Sequence, residues 1–280
     1  MNRVALAVVT ALTLALSTPV GAEPPPPPQG QQEPQLQWLG QSAIKITTAG
    51  GRTILVDPFI SSNPVTPDEH QDLTALGEVD LILVTHAHRD HWGDTRAIAE
   101  RTGAAVGVNA DFGSTLRTLG ILPQDQLIRF NKSGPITPVN DGVTITMTRA
   151  EHSSDFVHGE AGEAPRVHPG GEPVGYIIEL ENGYTIWHMG DTGVFADMQW
   201  ISRFYEPDLV LMPIGGHYTM NPEHAAYATE QFVTSGTIVP IHYGTFAPLT
   251  GTPEAFREAL SETARPRVSV MEPGETRPLN

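Results

Sequence analysis

Seven consecutive residues constrain this chain more than any other feature: Thr85-His86-Ala87-His88-Arg89-Asp90-His91. Three imidazoles and a carboxylate fall within six positions, directly after the apolar run Leu81-Ile82-Leu83-Val84. A short apolar run of this kind reads as a buried strand, so the cluster sits where the chain leaves a sheet. His86 and His88 alternate, and in extended backbone such side chains project to the same side. Imidazole and carboxylate are the ligands of zinc and similar divalent ions when no thiolate is present, and the chain has no cysteine. That absence also excludes disulfides and thiol nucleophiles. Trp92-Gly93-Asp94 follow at once, so the histidines are embedded in folded sequence rather than in a loose tract.

A strand-end cluster needs a scaffold, and 280 residues at 39% hydrophobic are enough for one large domain with its own core. The scaffold does not begin at Met1. A short positive start at Arg3 is followed by an apolar stretch from Val4 to Leu16, broken only by Thr10 and Thr13, and then by the small residues Gly21-Ala22. This is the secretory pattern, too short to span a membrane comfortably. The expected organisation is a signal peptide over 1–22, cleaved after Ala22, a Pro/Gln-rich spacer over 23–35 and a folded domain over 36–280. The expected location is periplasmic or secreted, with no stable membrane insertion after cleavage. The formal charge of −16 argues against a nucleic-acid partner or an anionic membrane surface, both of which select a basic face.

Within the folded part, strands and helices alternate. Strands are expected at 43–47, 53–56, 81–85, 143–148, 176–180, 184–188, 209–212 and 237–241. Glu181-Asn182-Gly183 gives a hairpin turn. Helices are expected at 95–102, 111–119 and 222–233, the last with Asn221 as N-cap and Pro222 in the first turn. Residues 155–173 contain Gly, Pro and His without clear periodicity and are expected to form a long loop.

Other motifs stand just past these strands: Ile54-Leu55-Val56-Asp57-Pro58-Phe59, Glu151-His152-Ser153-Ser154, Gly190-Asp191-Thr192, Pro213-Ile214-Gly215-Gly216-His217 and Ile241-His242-Tyr243-Gly244. Together with His-x-His-x-Asp-His, in this order and rough spacing, they make residues 36–275 resemble the metallo-β-lactamase superfamily. The nearest group within it is the UPF0173 metal-dependent hydrolases. The ascorbate-6-phosphate lactonase and N-acyl-phosphatidylethanolamine phospholipase D branches are more distantly similar. The resemblance implies an α/β fold, a four-layer αββα sandwich with a metal site at one edge. It implies that His86, His88 and His152 hold one divalent ion, that Asp90, His91 and His242 hold a second, and that Asp191 bridges them. Zinc is the expected metal, with manganese or iron as alternatives.

Such a pair of ions generates hydroxide near neutral pH and polarises a scissile carbonyl or phosphoryl oxygen. The expected activity is hydrolysis of an ester, lactone or phosphodiester in a small-molecule substrate, with Asp90 as both ligand and catalytic group. The alternatives are an iron-dependent, thiol dioxygenase-like oxidoreductase on the same fold and a metal-binding non-enzyme. Ser153 and Ser154 lack a triad-like setting. His217 is read either as a catalytic donor to the developing oxyanion or as a structural residue. Asp57 and His188 are read either as supports for the ligands or as an ordinary turn residue and a core histidine.

Overall fold

The structure is a computed structural model. It describes residues 32–280 apart from Asn140, Asp141, Glu160, Ala161 and Glu163. The expected signal peptide and most of the spacer lie outside the described residues. The first strand begins at Gln35, and the Gln32 amide already donates to the Ala49 carbonyl at 3.2 Å.

Fourteen strands and six α-helices are found among the described residues. The first sheet contains β1 (Gln35–Trp38), β2 (Ile44–Thr47), β3 (Thr53–Val56), β4 (Leu81–Leu83), β5 (Ala105–Asn109) and β6 (Leu127–Phe130). The second holds β7 (Thr144–Arg149), β10 (Val174–Glu179), β11 (Thr185–His188), β12 (Leu209–Pro213) and β13 (Thr237–Ile241). Between β7 and β10 lies a separate ribbon of β8 (Asp155–His158) and β9 (Arg166–Pro169), and the last strand, β14 (Thr276–Pro278), closes the first sheet. The strand orders are β14-β1-β2-β3-β4-β5-β6 and β13-β12-β11-β10-β7. The helices are α1 (Arg89–Trp92), α2 (Thr95–Thr102), α3 (Ala110–Thr118), α4 (Met198–Tyr205), α5 (Pro222–Gln231) and α6 (Pro253–Ala259).

Period-two alternation sorts the side chains into three cores. On β4, Leu81 and Leu83 face the space between the sheets, while Ile82 faces the helices outside. On β12, Leu209 and Leu211 face inward, while Val210 and Met212 face the opposite helix layer. The inter-sheet core joins Ile44, Ile46, Met147, Tyr176 and Ile178. Ile98, Phe112 and Leu116 from α2 and α3 cover one outer face, and Met198, Ile201, Ala225 and Phe256 from α4, α5 and α6 cover the other. Strands buried on both faces read as continuous apolar runs, which is why these segments are visible in the sequence. The result is the four-layer αββα arrangement. No helix among the described residues is long and apolar enough to cross a membrane.

The expected long loop at 155–173 is corrected: it contains the β8–β9 ribbon, with Phe156 paired to His168 and Val157 to Val167. Four-residue strands are too short to show a convincing period. The ribbon is fixed by tertiary contact, because Phe156 is buried edge-on against Trp92 and Phe112. α5 starts as expected, with the Asn221 side chain accepting from the His224 amide at 2.8 Å.

Candidate metal centre

β7, β11, β12 and β13 run in the same direction, and β3 to β6 are parallel in the other sheet. Their carboxyl ends therefore open on one edge of the sandwich. His86 and His88 follow β4, and Asp90 and His91 sit on the short α1 behind them. His152 follows β7, Asp191 follows β11 and His242 follows β13. A site is assembled because every one of these motifs is a strand-end departure.

The side chains converge. His86 Nε2 lies 2.9 Å from His88 Nδ1, and Asp191 Oδ2 lies 2.9 Å from His242 Nε2, 3.3 Å from His91 Nε2 and 3.6 Å from His152 Nε2. Asp90 Oδ2 lies 3.5 Å from His91 Nε2 and 3.6 Å from His242 Nε2. Three overlapping groups have all their ligand atoms within 4.8 Å of one another: His86, His88 and His152; His86, His91 and Asp191; Asp90, His91 and His242. His86, His91, Asp191 and His242 are buried, while His88, Asp90 and His152 are half-buried on the open side. His91 Nε2 and Asp191 Oδ1 are buried without a hydrogen-bond partner among the described residues. Buried polar atoms of this kind are rarely left unsatisfied. Nitrogen and carboxylate donors without sulfur suit zinc or a similar divalent ion, so the donor set fits a metal.

Charge in the cluster is strongly redistributed. Burial, reinforced by the charge of His91, pushes His86 well below the usual imidazole range. Burial opposes the charge on His242, but Asp191 and Asp90 outweigh it and raise this imidazole to about 9. His91 is raised for the same reason by Asp191, Asp90 and Asp57 against its burial. Burial would raise both carboxyls, yet His91 and His242 hold Asp90 and Asp191 well below the carboxylate range.

A family model described as a beta-lactamase superfamily domain matches residues 52–243. A UPF0173 metal-dependent hydrolase of Cupriavidus necator is 49% identical over 98% of this chain and 98% of its own length. The chain belongs to the UPF0173 metal-dependent hydrolases of the metallo-β-lactamase superfamily. Among solved structures, a metallo hydrolase from the hyperthermophilic archaeon Ignicoccus hospitalis is 36% identical, with a TM-score of 0.75, over 88% of this chain and 98% of that one. An isothiocyanate hydrolase from Delia radicum gut bacteria shares the fold at 18% identity, with a TM-score of 0.64, over 88% of this chain and 99% of that one.

In this UPF0173 hydrolase the clustered imidazoles are held from behind. Asp57 accepts from the Thr85 amide at 2.7 Å, from the Thr85 hydroxyl at 2.7 Å and from His91 Nδ1 at 2.7 Å. A carboxylate only accepts, so His91 donates from Nδ1 and turns Nε2 toward the cluster. The Thr85 hydroxyl spends its proton on Asp57 and accepts from His86 Nδ1 at 3.0 Å, which frees His86 Nε2. His88 Nε2 donates to Asp155 on the β8–β9 ribbon at 3.2 Å, which leaves Nδ1 toward His86. Such supports fix the tautomer and orientation of ligand rings. His188, neutral because burial lowers its pKa, donates from Nε2 to the Ser42 carbonyl and accepts the Gly190 amide on Nδ1. It pins the turn that carries Asp191. Thr192 joins that turn to the His152 loop by accepting the Glu151 amide at 2.9 Å.

His217 is not brought to the cluster. It is exposed, with φ of 60°, and lies edge-on to Tyr218. The Gly215-Gly216 pair does allow a close approach, but to another backbone: a Cβ on Gly215 would lie 2.1 Å from the His242 carbonyl oxygen. Tyr218 lines the cavity instead. That cavity, of about 400 Å³, has His88, Asp90, His152, Asp191 and His242 on its floor and Ser153, Tyr218, Phe246 and Leu249 on its walls. Sequence reading missed Thr85, Asp155, Gln41 and Tyr218, all common residue types whose placement depends on contacts across the fold.

Proposed function

We propose that this protein hydrolyses an uncharged ester or lactone with two divalent ions, of which zinc suits the donor set best. In this reading His86, His88 and His152 hold one ion, Asp90, His91 and His242 hold the other, and Asp191 stands between them. The observation that carries the reading is the convergence of these donors on the floor of a cavity with no Lys or Arg among the described residues of its walls. Bound ions of this kind supply Lewis acidity and ionise water near neutral pH.

The chain's own residues do the rest. Asp90 Oδ2 faces His91 Nε2 at 3.5 Å and His242 Nε2 at 3.6 Å, so its carboxylate is placed to share an ion with them. Its part is to ligate and to orient a water. Tyr218 and Phe246 are both exposed at the mouth and offer apolar and aromatic surface to the substrate's organic part. A phosphodiester would bring a charge that no wall residue matches.

The test loads the metal-free protein with zinc and assays p-nitrophenyl butyrate, a δ-lactone and bis-p-nitrophenyl phosphate, each with and without chelator. Chelator-sensitive turnover of the ester or lactone is expected. Preference for the phosphodiester would overturn the uncharged substrate, and turnover unaffected by chelator would overturn the metal reading.

The leader supports a second part of the proposal: residues 1–22 direct export, cleavage follows Ala22, and residues 23–35 space the domain from the cleavage site. N-terminal sequencing of protein recovered from the host's envelope should begin at Glu23, and an intact Met1 there would contradict it.

A further inference from the structure

The turn between β1 and β2 reaches three of the loops that carry proposed ligands. The Gln41 side chain donates from Nε2 to Asp90 Oδ2 at 2.8 Å. The Gln41 carbonyl accepts the His242 amide at 3.0 Å and Trp38 Nε1 at 3.0 Å. The Ser42 carbonyl accepts His188 Nε2 at 3.0 Å, three residues before Asp191. Gln41 is fully buried and sits in the left-handed region, with φ of 50°. An L-residue persists there only when its surroundings over-determine it, and such residues gather at functional sites. Asp57 and His242 share the region, with φ of 48° and 55°, so three left-handed non-glycine residues meet around one ligand group. Gln41 Oε1 is buried without a partner among the described residues. A residue needed only to close a turn has no reason to bury an amide beside a carboxylate.

We propose that Gln41 is the positioning residue of the Asp90–His91–His242 group, fixing Asp90 through its side chain and His242 through its backbone carbonyl. Asp57 fixes the third member, His91. All three donors of that group are then oriented from behind before an ion arrives. The inference rests on the two-ion reading, and the wild-type stoichiometry reports on that reading separately.

The experiment compares wild type with Gln41→Met, which keeps the chain length and removes the amide, and with Gln41→Gly, which suits the left-handed backbone and keeps the carbonyl to His242. Folding of each metal-free protein is checked by circular dichroism. Each is titrated with cobalt(II), following visible absorption, and with zinc against a chromophoric chelator. The expected result is a loss of about 10–100-fold in affinity for one ion, with an altered cobalt spectrum and the other ion's affinity unchanged. Gln41→Gly keeps the test decisive should Gln41→Met not fold. Wild-type affinities and an unchanged cobalt spectrum in either folded variant would overturn the proposal.

Discussion

His91 Nδ1 and Asp57 Oδ2 lie 2.7 Å apart, and neither side chain is exposed to solvent. The contact fixes a tautomer more than it adds stability. In Asp57→Asn the amide group can face His91, turn Nδ1 into an acceptor and move the proton to Nε2, where the ion would bind. Metal affinity at the His91 position is expected to fall about 10–100-fold, measured by competition with a chelator of known affinity. Wild-type affinity in a folded Asp57→Asn protein would remove this role.

Among the described residues, Asp191 is the one carboxylate within 3.6 Å of His91, His152 and His242 together. Asp191→Ala removes that shared contact and leaves three protein donors around each proposed ion. Metal content measured on purified protein is expected to drop from two ions per chain toward one. Equal content in wild type and variant would take Asp191 out of the bridge.

What the sequence made visible and what it hid divide by range. The residues that converge were expected from family motifs, and the strand ends that carry them are marked by local apolar runs such as Leu81-Ile82-Leu83-Val84. The four layers were expected from the resemblance to the metallo-β-lactamase superfamily rather than from any local run. The supports were not. Gln41 meets Asp90 across 49 positions, and His88 meets Asp155 across 67. No local pattern marks a residue whose role is set at that distance. The β8–β9 ribbon was hidden because Phe156, not a strand period, anchors it. The placement of His217 was not legible, because a Gly-Gly pair signals close approach without saying to what, and the approach is to the His242 carbonyl.

His217→Ala is therefore expected to leave turnover within about threefold of wild type, well short of the roughly 10²–10³ loss that follows removal of an oxyanion donor. Metal content should not change. The assay uses whichever ester or lactone the substrate panel identifies, and a hundredfold loss of turnover at full metal content would return His217 to the catalytic machinery.

The last prediction concerns protons. In the metal-free protein His242 is raised to about 9 by Asp191 and Asp90 despite its burial, and His91 is raised by Asp191, Asp90 and Asp57. His242 therefore carries a second ring proton at neutral pH, and His91 is shifted in the same direction. An ion binds imidazole through a lone pair, so uptake must expel that proton. Affinity should rise with pH from neutrality to about 9, where His242 of the metal-free protein loses its proton unaided, and the dependence on this group should flatten above it. The sign follows from mass action: a raised metal-free pKa makes the proton a stronger competitor, and acid favours release of the ion. Calorimetric titration with zinc near pH 7, in two buffers of different ionisation enthalpy, counts the protons released. At least the second ring proton of His242 is expected among them, besides any proton released by a water that ionises on the bound ion. Identical heats in the two buffers would mean that His242 is already neutral, and the charge pattern drawn for the cluster would be wrong.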